Sequence, residues 1–417
     1  MSRMSRRFVV WALLMFTSAA PFVLAVARDQ GFTTLDVDGE QVRIYRDEFG
    51  VPHIFAETNR GLFQGFGYAV AEDRLWQLEL FRAASLGRLA EIFGSTPIVT
   101  NVLIGNLTVT ALMADKDIRT RHYTEVEVQQ QFDLLDAEEA EIFTAYAEGI
   151  NRYVTEVVVP DPANKLPFEF HSLGLGIPEP WTALHVAANA IYQSRFGQVG
   201  GMERRNQTLL NNLIAKHGRA TAVAIFNDVR WINDPDAPVS VPPAGAVGKK
   251  QHAVPRAEQL DGASAQDDRS EEDKADAVLE ALGVPIRSGS HGWVVSAAKS
   301  ANGSPMLFGA PQVGFNTPEL FLEVQLNGGN GFNVMGRAFA GVPVIYSGRT
   351  DKMSWTMSSG TFGDARDIYV ETLCPPPGSG YSFNGVAPRS SHVLRSSTSR
   401  ARPPSITRFS APSTDRS

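Results

Sequence analysis

The chain has 417 residues, 43% of them apolar, and a formal net charge of −7, enough length for a large core or two domains. The acidic balance excludes nucleic acid as a partner, because a phosphate backbone is held by basic patches. The single cysteine, Cys374, excludes an internal disulfide and a thiolate metal cluster.

Arg3, Arg6 and Arg7 lead into an almost wholly apolar run from Phe8 to Leu24, which ends on the small residues Ala25 and Ala27. This three-part pattern reads as a signal peptide over residues 1–27 with cleavage after Ala27, and predicts a periplasmic or secreted protein with no stable membrane association. Residues 36–56 read as two short strands around a turn, on the alternation of Val42, Ile44 and Tyr45 and then Gly50 to Ile54. From Gly61 to Gly94 apolar residues recur at helical spacing (Leu75, Leu78, Leu86, Leu89, Phe93). Buried ion pairs are expected there around Asp73 and Arg74. Residues 136–158 give a second helix, whose first turn carries Asp136, Glu138 and Glu139, as the positive end of a helix dipole favours. A third helix is predicted over 181–195, and 209–215 continues as helix. His185 lies on the third with no His or carboxylate partner at i+4, so it is read as structural, like His53, His122 and His171.

At Asp234 the composition changes. Pro235, Pro238, Pro242 and Pro243 lead into a polar, mixed-charge stretch that reads as a linker. After Gly289 the pattern is strand-rich, with strands predicted at 293–295, 305–308, 320–325, 331–335, 342–346, 352–357 and 367–371, separated by glycine and asparagine turns. Helices upstream and strands downstream predict an α+β fold with sheets inside and helices outside. Trp293 to Val295 are expected to be buried, with Ser290 just before that strand on a Gly-Ser joint.

Several stretches occur in a telling order: Arg46 to Ile54, Gly67-Tyr-Ala-Val-Ala-Glu-Asp-Arg-Leu-Trp-Gln77, Gly87-Arg-Leu-Ala-Glu91, Ser290-His-Gly-Trp-Val-Val295 and Gly309-Ala-Pro-Gln-Val-Gly-Phe315. Together they resemble the penicillin acylase family of N-terminal-nucleophile amidohydrolases, over about Asp36 to Val386. The resemblance implies an αββα four-layer sandwich. It also implies a precursor that cuts itself between Gly289 and Ser290, leaving a first chain of residues 28–243, a spacer of 244–289 and a second chain that starts at Ser290 and keeps to the family pattern until 386. The mature protein would be a heterodimer derived from one polypeptide. His291 and Gly292 stand where the family more usually has Asn and a variable residue.

The family's functional positions fall on named residues here. Ser290 is the nucleophile, Gly360 supplies one backbone N–H to the oxyanion, and Gln312 positions substrate and serine. Arg195 and Phe196 wall the acyl pocket. Val313 and Ser347 stand where penicillin G enzymes carry aromatic pocket residues, which implies a roomier pocket. Asp364, the Arg366 carbonyl, Asp367 and Glu203 resemble a site for one structural Ca2+, as hard cations favour oxygen ligands. Residues 387–417, crowded with Ser, Arg, Pro and Thr, are expected to be disordered. The rest of a full-length second chain, with its second oxyanion donor, is expected to be missing.

Serine is a weak nucleophile until a base takes its proton, and a free α-amino group with a pKa near ~8 can do this within one residue. Gly289 lets the bond to be cut twist at little steric cost. The expected function is hydrolysis of a small linear amide, a β-lactam side chain or an N-acyl-homoserine lactone. The alternative is an unprocessed fragment that at most binds calcium or an acyl ligand. A metal-dependent hydrolase is disfavoured, since the chain has no HxxEH-type cluster.

Overall fold

A computed structural model describes residues 31–95, 97–102, 105–194, 202–229, 278, 289–313, 317–358, 372–373, 381–382, 391–399 and 402–411. Three strands come first: β1 (Thr33–Val37), β2 (Glu40–Arg46) and β3 (Pro52–Ala56). The sequence suggested two strands beginning at Asp36. The missed signal is Asp38-Gly39, where both residues have positive φ (53° and 88°), the backbone that a two-residue hairpin turn requires.

Helix α1 (Asn59–Leu86) follows. Thr58 caps its start by accepting from the Gly61 N–H, and Gly87 ends it in the left-handed conformation at φ 63°. It is interrupted at Arg74, whose φ −136° and ψ 28° are non-helical. Next come α2 (Leu89–Phe93), a hairpin of β4 (Ile98–Val102) and β5 (Gly105–Val109), α3 (Ala111–Arg121), α4 (Glu125–Phe132) and α5 (Ala137–Tyr153). The expected acidic start of α5 is a capping box: the Asp136 side chain accepts from the Glu139 N–H, and the Glu139 side chain accepts from the Asp136 N–H. The helix predicted to reach 158 passes into a π-helical turn at Val154–Val158. Helices α6 (Ala183–Ser194), α7 (Met202–His217) and α8 (Arg219–Val229) complete the helical part.

The strands after the linker are β6 (Gly289–Val295), β7 (Met306–Gln312), β8 (Phe321–Gly328), β9 (Asn333–Phe339), β10 (Ile345–Arg349) and β11 (Ser354–Trp355). The main sheet has seven strands in the order β1-β2-β3-β8-β9-β10-β11. Its centre is a parallel pairing of β3 with β8, in which His53 faces Gln325 and Ala56 faces Gly328. Strands from the two ends of the chain therefore share one sheet.

One face of that sheet is apolar and buried: Val42, Ile44, Ile54, Leu322, Val324, Leu326, Val334 and Ala338 join the core formed with α1 and α5. Helices α1 and α5 cross at glycine. A Cβ on Gly149 would collide with the Gln64 carbonyl oxygen, and one on Gly67 with that of Tyr146. Beside this close approach the Phe66 ring meets the Tyr146 ring edge-on at 5.2 Å. The opposite face of the sheet carries Glu323, Met335 and Arg337, and there the β6–β7 hairpin lies: Arg337 donates to the Gly309 carbonyl at 3.3 Å. Helices, sheet and hairpin thus form successive layers of an α+β fold.

Three expectations change. Ser290 lies inside strand β6 rather than before it. Trp293 and Phe308 stack at 4.2 Å, but they are 56% and 46% exposed and Val294 71%, so the described residues leave this end of the hairpin largely open. The tail expected to be disordered pairs as a hairpin, β14 (Ser391–Ser399) with β15 (Arg402–Ala411), after the short pair β12 (Thr372–Leu373) and β13 (Tyr381–Ser382). Val393, Leu394, Ile406, Thr407 and Phe409 bring strand propensity that the Ser- and Arg-rich composition hid.

Candidate active site

The β6–β7 hairpin assembles the site from backbone pairing. In its antiparallel register Gly289 faces Gln312, Ser290 faces Pro311 and Gly292 faces Gly309. The bond between Gly289 and Ser290 thus lies directly across from the Pro311-Gln312 step. Alternation along a strand places Ser290 and Gly292 on one face and Gly289 with Gln312 on the other. Ser290 is half-buried and Gln312 exposed. The structure therefore brings Ser290 and Gln312 to adjacent pair positions, with Gln312 on the side of the glycine.

What seats the hairpin was not apparent from sequence. A Cβ on Gly309 would lie 2.6 Å from Thr356 Cβ, and one on Gly292 3.3 Å from Thr356 Cγ2. Only paired glycines let Thr356 approach this closely. Thr356 Oγ1 in turn accepts from Ser347 Oγ at 2.8 Å, and Ser347 is 8% exposed. Beside this contact a cavity of about 310 Å3 opens between hairpin and sheet, lined among others by Leu307, Gly309, Arg337, Ser347 and Thr356. Ser347 is one of the residues that border this space. Val313 follows β7 and is half-buried.

The charged groups singled out in the first helix are scaffold. Asp73 pairs with Arg46 at 2.9 Å, and Arg46 also pairs with Glu72 at 2.7 Å. Asp73 does not pair with Arg74, whose guanidinium reaches carbonyls instead: Nη1 donates to Glu319 at 3.0 Å. Burial raises the Asp73 carboxyl above its ordinary value, while Arg46 pulls the other way. The Glu79 carboxylate is buried against Arg82 and accepts from Trp181 Nε1 at 2.8 Å, and burial pushes its pKa up. His185 is held neutral: burial, then Arg82 and Arg88, lower its pKa to about 4. Its Nδ1 accepts from the Thr182 N–H at 3.2 Å, a structural role as expected. His53 sits between Gln325 at 2.5 Å and Asp47 at 3.3 Å.

Arg195, Phe196, Gly360, Asp364, Arg366 and Asp367 lie outside the described residues. Glu203 belongs to the first turn of α7, without a described side chain. Among the described residues no group of three His, Cys, Asp or Glu side chains gathers to hold a metal, and no helix is long and apolar enough to cross a membrane.

Comparison with known proteins bears on the family of the whole chain. The family model described as penicillin amidase matches residues 41–405, past the Val386 boundary at which the resemblance seemed to end. The chain is 28% identical over 378 residues to penicillin G acylase of Escherichia coli, covering 83% of this chain and 42% of that protein. It is 24% identical over 335 residues to the acyl-homoserine lactone acylase QuiP of Pseudomonas fluorescens, covering 80% of this chain and 36% of that one. The chain spans less than half the length of these curated relatives. Among solved structures, a thermostable penicillin G acylase from Alcaligenes faecalis aligns with a TM-score of 0.41 and 32% identity, over 49% of this chain and 97% of that chain.

Proposed function

We propose, since the chain belongs to the penicillin amidase family, that it is an amidohydrolase of small linear amides that works through Ser290 after cutting itself at Gly289–Ser290. The observation that carries this reading is the hairpin register, which sets Gly289–Ser290 across from Pro311 and Gln312. In the precursor, Ser290 Oγ attacks the Gly289 carbonyl carbon, and the peptide nitrogen leaves with a proton to become the free α-amine. Water then hydrolyses the resulting ester, which restores the hydroxyl on Ser290 and leaves a carboxylate on Gly289. In turnover the α-amine takes the hydroxyl proton, Oγ attacks the substrate carbonyl, the amine product departs with that proton, and water releases the acid.

Gln312 holds the substrate and the Gly360 backbone N–H stabilises the oxyanion, where loss of one donor costs about 10² to 10³ in turnover. Arg195, Phe196, Val313 and Ser347 shape the acyl pocket. A β-lactam side chain or an N-acyl-homoserine lactone suits this pocket. Three carboxylates (Glu203, Asp364, Asp367) and the Arg366 carbonyl form an all-oxygen donor set suited to Ca2+, which would tie the two chains together structurally. Export through the segment 1–27 would place the enzyme in the periplasm or outside the cell. The test is release of product from phenylacetyl-4-nitroanilide and from an N-acyl-homoserine lactone by the purified full chain and by Ser290→Ala. Product from the wild type alone supports the reading, and equal activity of both, or of neither, sinks it.

A further inference from the structure

We infer that Arg74 and Gln77, in the middle of helix α1, are positioning residues that hold the second chain in register for the Ser290 chemistry. This inference rests on the self-cleaving reading above. It begins at the break in α1. With Arg74 non-helical, at φ −136° and ψ 28°, the helix redirects there, and the two side chains turn to the segment that follows β7. Gln77 Nε2 donates to both the Pro318 and Glu319 carbonyls, at 3.1 and 3.0 Å. Arg74 Nη1 donates to Glu319 O at 3.0 Å and Nη2 to Phe321 O at 3.4 Å. The two side chains also meet, Nη1 to Gln77 Oε1 at 3.4 Å.

Gln77 is only 7% exposed, so its amide has little water to turn to if these partners are lost. Burial lowers the Arg74 pKa, while Asp73 and Glu319 work against the fall. A guanidinium and a carboxamide on one helix thus reach three carbonyls, those of Pro318 and Glu319 between β7 and β8 and that of Phe321 at the start of β8.

Position in the chain makes the clamp functional. Pro318 lies six residues beyond Gln312 and three before β8 begins at Phe321, so the clamp fixes the chain where it enters β8 after the segment carrying Gln312 and Val313. Once the bond before Ser290 is cut, residues 74 and 77 are on one chain and residues 312–321 on the other. The clamp then becomes an inter-chain contact that holds β7 in place beside β6. A displacement of about 1 Å in such a constellation costs on the order of 10²-fold in rate.

The test follows the appearance of a fragment beginning at Ser290 by intact mass, with thermal midpoint measured in parallel, for purified full-length wild type, Q77E, R74K and L78A. Q77E keeps size but replaces the donating amide by an oxygen facing two carbonyl oxygens. L78A is the packing control, since Leu78 is fully buried in the same helix. The expected result is cutting at least tenfold slower in Q77E and several-fold slower in R74K, with L78A cutting at the wild-type rate in its folded fraction despite an equal or larger loss of midpoint. Rates that simply follow the midpoint across the four proteins, or a Q77E chain that cuts as fast as wild type, overturn the positioning role alone. A wild type that never cuts overturns both this role and the self-cleaving reading.

Discussion

Gly309 offers a graded test of the hairpin seat. In Gly309→Ala the new Cβ would sit 2.6 Å from Thr356 Cβ and nearer still to Thr356 Oγ1, whereas apolar atoms in contact prefer about 3.5 to 4.0 Å. The hairpin must lift from the sheet by about 1 Å. Overpacking of this kind costs about 1 to 3 kcal/mol in stability, and the displacement of Ser290 relative to its surroundings costs on the order of 10²-fold in rate. The two effects separate in a cycle: Thr356→Gly removes all the colliding atoms, so the double variant regains most of the speed that Gly309→Ala lost, although it gives up the Ser347 hydrogen bond. The assay is the rate at which intact mass shows the fragment starting at Ser290, at a temperature where all variants are folded by circular dichroism. Cutting by Gly309→Ala at the wild-type rate, or no recovery in the double variant, refutes the reasoning.

Gly149→Ala forces a methyl group against the Gln64 carbonyl oxygen and the Tyr68 nitrogen, the latter at 2.8 Å. Since both obstacles are backbone, the loss should reach about 3 kcal/mol in urea unfolding, and a change under 1 kcal/mol would show that α1 and α5 do not cross there as described. Asp115 accepts from the Leu89 and Ala90 N–H groups at 2.7 and 2.8 Å, yet burial raises its pKa from 3.8 to about 6. Its raised folded value means that the folded state holds the proton more tightly, so this group's contribution to stability is fully present below about pH 3.8 and is lost as pH rises to about 6. At about 1.4 kcal/mol per pH unit this amounts to about 3 kcal/mol, and Asp115→Asn should flatten that slope between pH 4 and 7. Parallel pairing of β3 with β8 predicts that the two pieces, once cut, co-elute on a native sizing column and part only in denaturant; separation without denaturant would contradict the shared sheet.

The α+β class, the long helices and most strands were legible in sequence because apolar periodicity directly reports a half-buried helix or strand. Ser290 stands out in the sequence because it sits on a composition boundary within an ordered set of motifs. Sequence failed where the deciding contact is long-range. Arg74 lies 245 residues from the carbonyl of Glu319 that it reaches, and nothing local says that Thr356 closes on Gly292 and Gly309. The exposure of Trp293 and Val294 was missed for the same kind of reason: strand propensity reports a residue's fit to a pleated surface, whereas burial depends on which other layer arrives to cover it.

The most direct measurement is amino-terminal sequencing of the fragments present after the purified full-length chain is incubated at neutral pH. The account predicts two pieces, with the later one beginning Ser-His-Gly-Trp-Val-Val from Ser290, and a single uncut chain for Ser290→Ala. A folded wild-type chain that stays whole, or one that is cut elsewhere, would leave the serine without its base and contradict the central claim.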